Sequence, residues 1–138
     1  MIRRRAMGFS CMALLLIIAV AGCTAPDGGD EMQVLQTIPA EEAMLLLEAN
    51  PAVTIIDVRA AREYEAGHIP GAVHIPIASS FHEGIAGLDR DQPYLVYCAA
   101  GGRGSQALGA MGEAGFTEVY NLGGGIAAWE RAGGAVIR

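Results

Sequence analysis

The sequence predicts an α/β domain with a mainly parallel central sheet flanked by helices, and three observations carry that prediction. Short runs of consecutive apolar residues, rich in β-branched and aromatic types, have the character of strands buried on both faces. Helical patterns lie between them, and glycine or proline closes most of those patterns. Strand and helix therefore alternate along the chain, the order that produces a parallel sheet covered by helices.

Taken in order, Val34-Leu35-Gln36 is a weak first strand. Pro39-Ala40-Glu41-Glu42 opens a helix, with proline and acids where a first turn favours them. That helix runs through Leu45-Leu46-Leu47 towards Asn50, and Pro51 stops it. Val53-Thr54-Ile55-Ile56 is a strong strand, Val73-His74-Ile75 a weaker one, and Tyr94-Leu95-Val96-Tyr97 another strong one. A helix from about Gly104 to Ala114 places Ala107, Leu108, Met111 and Ala114 on one face, and Gly115 takes the left-handed position that ends it. Val119-Tyr120-Asn121-Leu122 is the last strand, and Ile126 to Arg131 form the last helix, ended by Gly133-Gly134. The Gly123-Gly124-Gly125 run reads as a turn into that helix. It is not a dinucleotide fingerprint, because no Gly-x-Gly-x-x-Gly follows a first strand.

The chain is 138 residues long and 52% hydrophobic, which suits one domain with a proper core. It contains no lysine. Arg3, Arg4 and Arg5 form a positive segment ahead of the apolar run Met12 to Val20, which is shorter than the roughly 20 residues that cross a bilayer and fits a signal peptide. The run ends in Val20-Ala21-Gly22-Cys23, which resembles the lipobox of bacterial lipoproteins. That resemblance implies removal of residues 1–22 and acylation of Cys23, anchoring the protein in the cell envelope and facing the periplasm or the exterior. Thr24, rather than an aspartate, after the cysteine implies outer-membrane sorting in a double-membrane bacterium. Residues 23–32 then form the lipidated cysteine and a flexible tether, since Ala25 to Glu31 are small, polar and turn-rich, and residues 33–138 form the domain. Without the first three arginines, six arginines face 15 acids and the net charge falls from −6 to −9. Such a body excludes nucleic acid and anionic membrane surfaces as partners, both of which demand clustered cations. The membrane is reached through the lipid alone, and a monomer is expected.

Cysteine usage narrows the chemistry. Cys11 leaves with the signal segment and Cys23 is consumed by lipid, so Cys98 is left alone and no internal disulfide can form. Cys98 directly follows the strand Tyr94–Tyr97, and Ala99-Ala100-Gly101-Gly102-Arg103-Gly104 lead into a helix. In parallel α/β sheets ligands bind at the carboxyl ends of strands. Four small residues let the backbone curl with its N–H groups turned inward. The helix start and Arg103 add positive charge, so thiolate is favoured over thiol, and the same cradle suits a small anion.

Cys98-x-x-Gly101-x-Arg103 resembles the active-site loop of single-domain rhodaneses. It is accompanied by Ile56-Asp57-Val58-Arg59, by Glu63-Tyr64-x-x-Gly67-His68-Ile69-Pro70-Gly71-Ala72, by Gly115-Phe116, and by Asn121-Leu122-x-Gly124-Gly125-Ile126-x-Ala128-Trp129. These blocks keep the family's order and spacing over about residues 34–137. The resemblance implies a rhodanese-like fold and a thiosulfate-type sulfurtransferase with catalytic Cys98. A sulfane sulfur passes from a small anionic donor to a Cys98 persulfide, and then to cyanide or a thiol acceptor. Ala99, Ala100, Gly101, Gly102, Arg103 and Gly104 would bind the donor, with no metal or organic cofactor. It also implies that Asp57 and Arg59 are structural, tying the strand end to neighbouring loops. Six residues from cysteine to arginine match the sulfur-transferring branch, whereas the related phosphatases and arsenate reductases have one more. Gly104 stands where the family often has Ser or Thr, and Ser105 follows one place later. A sulfur-carrying or thiol-sensing module is the non-enzymatic alternative. His68, His74 and His82 match no common zinc spacing. His82 and Glu83 are candidates for the pocket border, while Tyr94, Tyr97 and Trp129 read as packing residues.

Overall fold

A computed structural model describes residues 32–138. The signal segment, Cys23 and the tether lie outside the described residues. Five strands, β1 (Val34–Ile38), β2 (Thr54–Asp57), β3 (Val73–His74), β4 (Pro93–Tyr97) and β5 (Glu118–Leu122), form one sheet in the order β1-β5-β4-β2-β3. Every neighbouring pair is parallel. Parallel neighbours need crossover connections, supplied here by α1 (Ala40–Ala49), α2 (Ala61–Ala66), α3 (Phe81–Ala86) and α4 (Gly102–Glu113), while α5 (Gly125–Arg131) follows the last strand.

The central strand β4 is buried along its whole length, which explains its unbroken apolar sequence. Because side chains alternate across a strand, it feeds two cores. Tyr94, Val96 and Cys98 join Ile56, Val58 and Val119 against Ala107 and Met111 of α4 and Phe81 and Ile85 of α3. Leu95 and Tyr97 join Ile38 and Leu122 against Ala40 and Ala43 of α1 and Ile126 and Trp129 of α5. This alternation puts the Cys98 side chain on the α4 face and that of its neighbour Tyr97 on the other.

Two helices are additions to the sequence reading. The helix α2 buries none of its residues and α3 buries only Phe81 and Ile85, so neither has the apolar periodicity that marks a helix in sequence. The helix α4 begins at Gly102, two residues before the position read from sequence, because Gly-Arg-Gly gives no propensity signal for its first turn. Pro39 caps α1 from an extended conformation instead of opening the helix. Trp129 packs in the core, only 6% exposed, and its indole N–H donates to Ala135 O at 2.9 Å.

Candidate active site

The candidate site forms where β4 ends. Cys98 is 2% exposed, and the N–H of Gly101 donates to its Sγ at 3.0 Å. Gly101 adopts φ 108°, a left-handed conformation that turns the chain from the strand into α4 and that other residues reach only with strain. The next amides, those of Gly102, Arg103 and Gly104, lie in the first turn of α4, where no preceding helical carbonyl exists to accept them. The first helical closure is from Ser105 N–H to Gly101 O at 3.0 Å. Donors at the positive end of a helix therefore follow directly on the amide that already contacts the sulfur, an arrangement that stabilises negative charge on it.

The amides just before these, those of Ala99 and Ala100, are oriented by α5. The N–H of Ile126 donates to Cys98 O at 2.8 Å and that of Ala127 to Ala99 O at 3.3 Å. Each trans peptide carries its N–H opposite its carbonyl. Drawing two loop carbonyls towards α5 therefore aims the paired amides the other way. The approach is so close that a Cβ at Gly125, itself at φ 61°, would collide with Cys98 O and the Ala99 carbonyl. Gly125 is thus part of the site's scaffold, a role the sequence reading reduced to a turn. Only the distance between residues 98 and 125 in the chain hid it.

Asn121 explains why residue 104 is glycine. In the register Val96 opposes Asn121, which puts the amide on the α4 face beneath the loop. Its Nδ2 donates among Ser105 Oγ (3.1 Å), Thr37 Oγ1 (3.2 Å) and Gly101 O (3.4 Å), while its Oδ1 is buried without a partner. A Cβ at Gly104 would fall on that Oδ1. A Ser or Thr there would overpack the site, a change that usually costs about 1–3 kcal/mol. Ser105, one place later, has its hydroxyl engaged with Gly101 O at 3.2 Å, so it braces the loop.

Arg103 does not present its guanidinium fork to the sulfur. Nη1 and Nη2 donate to the two carboxylate oxygens of Glu63 at 2.7 and 2.8 Å. Glu63 is itself held, because its Oε2 accepts the N–H of Ala60 at 3.1 Å. The Arg103 hydrogen bond, against some burial, lowers the Glu63 carboxyl to about 2. Arg103 is in turn raised, first by Glu63 and more weakly by the Coulombic pull of Cys98. The role of Glu63 was missed in sequence, since nothing in its local pattern announces a partner 40 residues on.

Asp57 and Arg59 lie on the opposite face of the sheet and form a buried ion pair of 2.7 Å. The register sets Asp57 beside Tyr97, whose hydroxyl donates to Asp57 Oδ2 at 2.7 Å and accepts the N–H of Ile69 at 3.1 Å. Arg59 continues to Gly67 O at 2.6 Å. Burial pulls the Arg59 guanidinium down, but its contacts with Asp57 outweigh this and raise it. Burial, reinforced by Asp57, pushes the Tyr97 phenol up. Tyr97 is therefore a hydrogen-bonding anchor as well as a packing residue. His68 and His74 stack on either side of Tyr64, and their ring nitrogens bond to Tyr64 O and Arg59 O. His82 and Glu83 are exposed on α3, and the carboxylate at the loop comes from Glu63 instead.

A buried thiol thus lies between the end of a parallel strand and a glycine-rich helix start, with its arginine five residues on and the Gly101 amide on its sulfur. The chain belongs to the rhodanese-like family, whose family model, described as the rhodanese-like domain, matches residues 39–132. It is 36% identical over 98 residues to the thiosulfate sulfurtransferase GlpE of Pseudomonas putida, covering 71% of this chain and 87% of that one. It is 38% identical over 96 residues to the probable adenylyltransferase/sulfurtransferase MoeZ of Mycobacterium tuberculosis, covering 69% of this chain but only 24% of that longer protein. Among solved structures, a rhodanese-like domain from Anabaena superposes with a TM-score of 0.67 at 36% identity, over 73% of this chain and 77% of that one. A rhodanese-related protein from Thermoplasma volcanium does so with 0.66 at 31% identity, over 74% and 97%.

Proposed function

We propose that the domain is a sulfurtransferase of the thiosulfate type, working through a persulfide on Cys98. The observation that carries this reading is the Gly101 N–H on Cys98 Sγ within a six-residue cradle. The Cys98 thiolate attacks the sulfane sulfur of the donor, a new sulfur–sulfur bond forms, and the bond to the sulfonate sulfur breaks. Sulfite leaves with the electron pair of that bond when thiosulfate is the donor. Cyanide or a thiolate then attacks the outer sulfur, leaves as thiocyanate or a new persulfide, and restores the Cys98 thiolate. The loop amides stabilise the charge on sulfur in both steps. Exposure to thiosulfate should add one sulfur atom to Cys98 by mass spectrometry, and excess cyanide should give many turnovers. No adduct with any sulfane donor would sink the enzymatic reading, and one turnover per chain would mark a carrier. Hydrolysis of a phosphate ester should stay at background.

We propose further, from the lipobox-like Val20-Ala21-Gly22-Cys23, that the domain is held in the cell envelope through lipid on Cys23. Among the described residues no helix is long and apolar enough to cross a membrane. In bacteria fed an alkyne fatty acid, the chain should take up label and stay with the membrane fraction, and Cys23→Ala should lose both. Label retained in Cys23→Ala would end the proposal.

A further inference from the structure

The one arginine of the cradle loop is paired with a carboxylate, and so are two arginines that line a neighbouring groove. Arg103 is held at both ends by Glu63, Arg59 by Asp57, and Arg138 by Glu130. A groove of about 150 Å³ beside the loop has Glu63, Glu130, Arg59 and Arg138 in its walls, so its full charges also cancel in pairs. Within the loop itself, what remains to attract an anion is the set of amides, which carry only partial charges. Glu63 is fixed by Ala60 N–H as well as by Arg103, so the pair is built in place and does not depend on a chance surface encounter. Its carboxyl lies far below the working pH range, which keeps the pair charged throughout.

We propose that Glu63 is a specificity-determining residue: by holding the Arg103 guanidinium it offsets the positive charge that Arg103 brings to the cradle and biases Cys98 towards sulfane donors of low charge, the organic persulfides and polysulfides, over dianionic thiosulfate. The inference rests on Cys98 being the sulfur-accepting thiol. With thiosulfate, three negative charges converge as the thiolate attacks, two on the donor and one on the nucleophile. They meet beside a guanidinium whose charge is already matched by Glu63. A donor with one charge fewer meets less repulsion from the Glu63 carboxylate, and the difference scales with donor charge.

The test uses thiosulfate and methanethiosulfonate, which offer the same sulfane sulfur and differ by one negative charge. With methanethiosulfonate the thiolate takes the sulfane sulfur and methanesulfinate leaves with the bonding pair. The readout is the ratio of the two kcat/KM values in the purified full-length protein, since a ratio does not depend on how much of a variant is folded. Glu63→Gln keeps an oxygen for Ala60 N–H and for Arg103 while removing the charge. It should shift the ratio towards thiosulfate by about fourfold, the size of a unit charge acting near a protein surface. Raising the salt should shrink that shift, because exposed charges are screened. Glu63→Asp retains the charge and should leave the ratio where it is, whatever it does to the absolute rates. A ratio unmoved by Glu63→Gln, or moved equally by Glu63→Asp, overturns the proposal. If wild-type protein forms no persulfide with either donor, the sulfurtransferase reading itself has failed and takes this inference with it.

Discussion

Replacing Cys98 with serine should leave a folded domain that forms no sulfur adduct and loses turnover by about a thousandfold or more, the scale expected when a covalent nucleophile is removed. The chemistry requires an atom that can form and release a sulfur–sulfur bond, and a hydroxyl cannot replace it. Residue 98 is buried, and its side-chain contact of note is the Gly101 N–H, which a serine oxygen can also accept. The loop is held by backbone bonds from Ile126, Ala127 and Ser105 that do not involve the sulfur, so its shape should survive. Circular dichroism and the melting temperature should therefore change little while activity disappears. Cys98→Ala should lose activity to the same degree. Residual thiosulfate-dependent turnover in either variant, above the rate without protein, would mean that Cys98 is not the carrier of sulfur.

The sequence reveals much of this site because the site is local. Cys98, its small neighbours, Gly101 and Arg103 lie within one strand-to-helix connection, and residue type alone announces a curled backbone at a helix start. The central strand β4 is legible for a related reason: burial on both faces forces an unbroken apolar run, and such runs are rare elsewhere. What stays hidden depends on alignment between distant segments. The Glu63–Arg103 pair, the amide of Asn121 beneath Gly104, and the approach of Gly125 to the loop carbonyls all follow from how α2, β5 and α5 dock on β4. None of these leaves a periodicity. The short helices α2 and α3 stay hidden because they bury almost nothing, so their residues carry no apolar stripe to read.

The largest stability effect is expected at Asp57, not at the reactive cysteine. Asp57 is fully buried, and it accepts hydrogen bonds from Arg59 Nε and Nη2, from the Arg59 N–H and from the Tyr97 hydroxyl. Asp57→Asn keeps the shape but removes the charge, leaving the Arg59 guanidinium buried beside a neutral amide whose NH2 group opposes it. Breaking a buried ion pair from one side costs about 3–5 kcal/mol. In a domain of this size that corresponds to a fall in melting temperature of about 15 °C or more. Removing both charges should be milder, because the penalty of Asp57→Asn is chiefly the stranded cation. Asp57→Asn with Arg59→Met should therefore melt above Asp57→Asn alone, although Met cannot reach Gly67 O as Arg59 does. The pair lies on the face of the sheet opposite the Cys98 side chain, so its role is to fix the ends of β2 and β4 and the turn at Gly67. Thiosulfate turnover per folded molecule, measured well below each melting temperature, should thus stay within a few-fold of wild type. A double variant less stable than Asp57→Asn would refute the stranded-charge account. A loss of turnover as deep as that of Cys98→Ser in well-folded Asp57→Asn protein would instead give this pair a part in the chemistry.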